Sequence, residues 1–131
     1  VLHLSVHSFT PKLGGVERRN DIGLLCDPQR PLEVAFCGAL KKELVARGLS
    51  VRRNFPYFGN TDGFTTHLRG RLPVRRYLGI EIECNQRLVA KAAGERKVAS
   101  VLVAALQAMD LAASLPVPMQ PAARRSERSG R

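Results

Sequence analysis

A chain of 131 residues with 44% apolar side chains can build one domain with a modest core, and is short for two. No run approaches the about 18 uninterrupted apolar residues of a membrane span, and no signal peptide is visible. The net charge is +10, yet the basic pairs are scattered and aromatic residues make up only 5%, too few for a base-stacking platform, so nucleic-acid binding is not the expected function.

The first seven residues alternate apolar and polar, which predicts a strand with Leu2, Leu4 and Val6 on one face and His3, Ser5 and His7 on the other. The chain opens mid-pattern at Val1, which suggests a piece of something longer. Residues 8–30 read as a loop, with a turn at Gly14-Gly15 and a short buried strand at residues 22–26 stopped by Asp27-Pro28. Residues 31–47 read as a helix: Pro31 suits the first turn, Gly48 the C-terminal cap, and Phe36, Cys37, Leu40 and Leu44 share a face. Residues 49–54 read as a strand, residues 55–73 as a loop and residues 76–83 as a second clear strand. A long helix is expected from about Gly94 to Ser114, with Val98, Val101, Leu102, Ala105, Leu106 and Met109 as its buried stripe. The order β-loop-β-α-β-loop-β-α predicts an α/β domain over residues 1–115, with helices covering a mixed or mostly parallel sheet. Residues 116–131, rich in Pro, Arg and Ser, are expected to form a disordered basic tail carrying +3 of the net charge.

Three cysteines, Cys26, Cys37 and Cys84, form neither an even framework nor a CxxC pair, so reduced thiols and a cytoplasmic location are the simplest reading. His7 stands where a strand meets a turn, as a structural histidine or as a ligand or acid/base. Glu81 and Glu83 share one strand face, as an acid/base pair, as metal ligands, or as the solvated face of an edge strand. Arg18, Arg19 and Arg69 lie in or near loops and can clamp a carboxylate, while His3 and His67 lack ligand spacing. Phosphate-loop, GxSxG and HExxH motifs are absent.

Four segments, in this order, resemble the C-terminal half of the N-formylglutamate amidohydrolase family. They are Ser5-Val6-His7-Ser8-Phe9-Thr10-Pro11; Gly15-Val16-Glu17-Arg18 leading to Asp21-Ile22-Gly23-Leu24-Leu25; Asn54-Phe55-Pro56-Tyr57-Phe58-Gly59 with Asp62-Gly63; and Tyr77-Leu78-Gly79-Ile80-Glu81-Ile82-Glu83-Cys84-Asn85-Gln86. That family is similar to the zinc carboxypeptidases, so the resemblance implies a phosphorylase/hydrolase-like α/β fold, incomplete at its N-terminus. It also implies a zinc amidohydrolase acting on a small N-acylated amino acid, N-formylglutamate-like, giving formate and glutamate. His7 matches a zinc ligand and Glu83 the catalytic glutamate, with Glu81 as second choice. Arg18 would hold a substrate carboxylate, and Asn54, Tyr57 and Asp62 would shape the pocket. The family's other two zinc ligands, a His and a carboxylate close together, lie in its N-terminal half, and no His-x-x-Glu occurs here. The expectation is therefore a portion of an enzyme with an exposed sheet edge, inactive as an isolated fragment. The other readings are a non-catalytic basic module for an anionic partner and a remnant without activity. The sequence leaves the oligomeric state open.

Overall fold

The structure, a computed structural model, describes residues 1–110. The expected tail therefore lies outside the described residues. Strand β1 (Leu2–Phe9) is followed by a hairpin of two short strands, β2 (Lys12–Leu13) and β3 (Val16–Glu17). Then come β4 (Ile22–Leu25), α1 (Pro31–Ala46), β5 (Val51–Arg53), α2 (Phe64–Arg71), β6 (Leu78–Asn85), α3 (Gln86–Val89) and α4 (Ala92–Ala108). Four strands form the main sheet in the order β1-β6-β4-β5. β1 runs parallel to β6, and β4 parallel to β5, while β4 and β6 are antiparallel. The domain is thus α/β with a mixed sheet and flanking helices.

The register sorts the side chains onto two faces. Leu4 lies beside Ile80, Ile82 beside Leu24, and Ile22 beside both Cys84 and Val51. This apolar face packs on α1 through Phe36, Cys37, Leu40 and Leu44, and on α4 through Val98, Leu102 and Ala105. All three cysteines are free thiols buried in this core. The other face carries Ser5, His7, Glu81 and Glu83, and α2 packs against β6 on that side.

Several boundaries differ from expectation for physical reasons. Helix α1 ends at Ala46 because Gly48 takes a left-handed φ of 86° and its N–H returns to the Val45 carbonyl. The turn at Gly14-Gly15 closes a true hairpin, both glycines having positive φ (55° and 81°), as a two-residue loop of primed type demands. Within the expected 55–73 loop lies α2. Its sequence, with two threonines and Gly70, is a poor helix former, and tertiary contacts hold it. Helix α4 stops at Ala108, with Met109 extended at φ −72° and ψ 134°, and residues 111–114 of the expected helix lie outside the described residues.

A buried ion-pair node fastens α2. Glu33, 1% exposed, accepts from Arg69 Nε at 3.1 Å to each carboxylate oxygen and from the Gly79 and Asp27 N–H groups at 3.1 and 3.0 Å. Arg30 reaches Glu33 at 3.4 Å and the Tyr77 carbonyl at 3.1 Å. Arg69 also donates to the Gly59 and Gly79 carbonyls. The sequence admitted Arg69 as a substrate clamp; its side chain is instead 6% exposed and spent inside the fold.

Candidate functional site

His7 and Glu83 come from strands 76 residues apart in sequence, and the parallel register of β1 and β6 sets them side by side, with Ser5 beside Glu81 one step back. A cleft of about 180 Å³ opens over these four residues, walled by Gly63, Phe64 and Thr65 at the start of α2. On the far side, Gly23 is the register partner of Glu83 on β4. A Cβ at Gly23 would stand 2.1 Å from the Phe55 carbonyl oxygen and 3.3 Å from the Glu83 Cβ. Glycine there lets the Phe55 turn come down onto the sheet beside the carboxylate.

The two glutamates differ in their partners. Glu81 is half-buried and accepts a hydrogen bond from the Thr65 hydroxyl. Glu83 is 6% exposed, and its Oε2 is buried with no hydrogen-bond partner. Burial raises the Glu83 pKa above the ordinary carboxylate value; the His7 imidazole opposes the shift and Glu81 adds to it. A desolvated carboxylate with one uncommitted oxygen beside an imidazole is suited to accepting a proton. His7 is exposed and its Nε2 lies 2.8 Å from the Ser5 hydroxyl, which fixes the ring. The Cys84 thiol lies in the core on the other face of the sheet, and burial, then the Glu83 charge, push its pKa up to about 11.

Arg18 and Tyr57 also meet. The Arg18 guanidinium donates to the Tyr57 hydroxyl at 3.3 Å and stands 5.3 Å from the ring centroid. Arg18 belongs to a basic hollow of about 410 Å³ with Lys12, Arg19 and Arg87. In that hollow Arg19 is paired with Glu17, and Arg87 with Asp21. Asn85 holds the Arg18 loop to the end of β6, its amide donating to the Arg18 and Asn20 carbonyls at 2.9 and 3.0 Å.

Asn54 and Asp62 do other work. Asn54, at a positive φ of 49°, turns the chain after β5, and its Oδ1 accepts from the Cys26 and Gly59 N–H groups. The Asp62 carboxylate accepts from Thr61 at 3.4 Å, and its carbonyl accepts from Thr66 at the entry to α2. Neither lines the cleft over Glu83, whose wall begins one residue on, at Gly63. The sequence reading missed Ser5, Thr65 and Asn85. Ser5 and Asn85 lie two residues from His7 and Glu83 on the same strands, a signal that was present; Thr65 carried none, because its segment read as a loop.

Zinc is the cofactor that the family resemblance implies, and the described residues do not by themselves fit it. Among them no three His, Cys, Asp or Glu side chains stand together as a group able to hold a metal ion. His7 is the one imidazole lining the cleft, and Glu81 is engaged by Thr65.

No family model and no curated protein matches the chain. Among solved structures it is similar to the crystal structure of gene product Atu2144 from Agrobacterium tumefaciens, at 31% identity and a TM-score of 0.58. The match covers 79% of this chain and 42% of that one, so the chain spans less than half the length of this relative. The likeness accords with the α/β fold; the relative's name states no activity. No helix among the described residues is long and apolar enough to cross a membrane.

Proposed function

We propose that this chain carries the general-base portion of a metal-dependent amidohydrolase site, acting on a small N-acylated amino acid of the N-formylglutamate type. The observation that carries the reading is Glu83: a buried carboxylate with an unpartnered oxygen, set by strand register beside His7. Glu83 takes a proton from the attacking water and passes it to the leaving amine, a role for which a raised carboxylate pKa is suited. His7, held in orientation by Ser5, would be one ligand of a zinc ion whose other ligands would lie outside the described residues, and a zinc bound there would supply Lewis-acid polarisation of the scissile carbonyl. Thr65 keeps Glu81 out of the proton-transfer role. Arg18, braced by Tyr57 and the Asn85-anchored loop, holds a substrate carboxylate.

The test is turnover of N-formyl-L-glutamate, with metal content measured alongside, in the natural protein. Glu83→Gln is expected to lower turnover by about 10²- to 10⁴-fold while zinc is retained, and His7→Ala to lower zinc occupancy. Full turnover in Glu83→Gln overturns the base assignment, and unchanged zinc in His7→Ala overturns the ligand assignment.

A further inference from the structure

Strand register orders the cleft along β6. The Arg18 loop hangs from Asn85, which follows Glu83 on the same strand face. In the other direction Glu81 lies beside Ser5, and Gly79 beside His3, roughly 13 Å from Glu83 at strand spacing. At that second end stands Phe64, the first residue of α2. It lines the cleft with Glu81 and Glu83 and is 66% exposed. A single exposed phenylalanine is ordinary, but this one is held in place. Its ring centroid is 5.8 Å from that of His3, with the planes at 78°, and 6.4 Å from that of His67, stacked at 11°. His3 is fixed in turn by buried Tyr77, whose hydroxyl lies 2.7 Å from its Nδ1. Gly63, at φ 94°, brings the start of α2 down onto β6: a Cβ there would stand 3.4 Å from Glu81 Oε1.

We infer that the acyl group of the substrate lies between Glu83 and Phe64, and that it is uncharged and larger than formyl, an aromatic acyl group of the benzoyl kind. This rests on the hydrolase reading for the place of the reacting bond. In an N-acyl amino acid the carboxylate and the acyl substituent lie on opposite sides of the amide. A carboxylate held by Arg18 therefore turns the acyl substituent toward Phe64. A formyl group has only a hydrogen beyond its carbonyl, and it leaves the Phe64 end of the cleft to water. A flat ring there meets an aromatic side chain whose position is already fixed, so little ordering is lost on binding. The Glu81 carboxylate, held by Thr65 in the same cleft, repels an acyl group that ends in a second carboxylate.

The test compares kcat/KM for the N-benzoyl, N-formyl and N-succinyl derivatives of L-glutamate in the natural protein. The benzoyl compound is expected to exceed the formyl one by about tenfold, and the succinyl compound to fall below both. Phe64→Ala is expected to lower the benzoyl-to-formyl ratio by about tenfold, and Phe64→Tyr to keep it. Binding is read separately in Glu83→Gln from the ring-proton NMR signals of His3, which N-benzoyl-L-glutamate is expected to shift and N-formyl-L-glutamate to leave in place. Turnover of none of the three, with the His3 signals still moved by the benzoyl compound, would remove the hydrolase reading and keep the acyl site. A benzoyl compound no better than the formyl one, a succinyl compound as good as the benzoyl one, a ratio unaltered in Phe64→Ala, or unmoved His3 signals would each overturn the inference.

Discussion

Glu83 shows how a functional carboxylate burdens the fold that carries it. Its pKa in the folded protein is raised, chiefly by burial, above the about 4.3 of an exposed glutamate. The protonated form is therefore the one the folded state favours. The corresponding stability is fully present below the unfolded pKa and is lost as pH rises through the folded one. At pH 7 the group is a buried, partly unsatisfied anion, and Glu83→Gln is expected to stabilise the chain by on the order of 1 kcal/mol, the gain vanishing toward pH 4. Urea midpoints of the two proteins across that range check it; equal midpoints at pH 7 would remove the claim that burial strains this carboxylate. His7 and Glu83 were legible in the sequence because alternation places a residue on a strand face. Their adjacency, which the β1–β6 register shows, was expected from the family resemblance and not from local spacing, because it depends on which strands pair and in what register.

At the scale of elements, the same limit explains what was found and what was missed. β1, β6, α1 and the body of α4 announce themselves by period, and β4 by a short apolar run, and their apolar residues form the core. Helix α2 does not, because the interactions that make it a helix lie elsewhere: Arg69 on Glu33 of α1, and Thr65 on Glu81 of β6. A helix held by a buried ion pair should fail with that pair. Glu33→Ala leaves Arg30 and Arg69 buried without their counter-charge and is expected to cost about 3–5 kcal/mol, read as a lowered urea midpoint with loss of helical signal. A loss below about 1 kcal/mol would mean the node behaves like a surface pair. Asn54 belongs to the same lesson. In sequence it stands with the pocket residues, but a residue at φ 49° whose side chain accepts two backbone N–H groups is committed to shaping the chain.

For the whole molecule, charge opposes folding while the ion pairs offset little of it. Arg19–Glu17 is largely exposed, at 87% and 57% of the two side chains, and such pairs contribute little. The net charge of +10 remains as self-repulsion. Raising salt from about 0.01 to 0.15 M shortens the screening length from about 30 to 8 Å, so the urea midpoint is expected to rise with sodium chloride over that range; a fall would mean that surface attractions outweigh the net charge. The fixing of α2 has a consequence for traffic at the site. One wall of the Glu83 cleft is tied down through Thr65 and Arg69, and the other is the Phe55 turn seated on Gly23. With both walls fastened to the sheet, the opening over the carboxylate keeps a fixed width, and whatever reaches Glu83 must fit a gap that the fold itself has set.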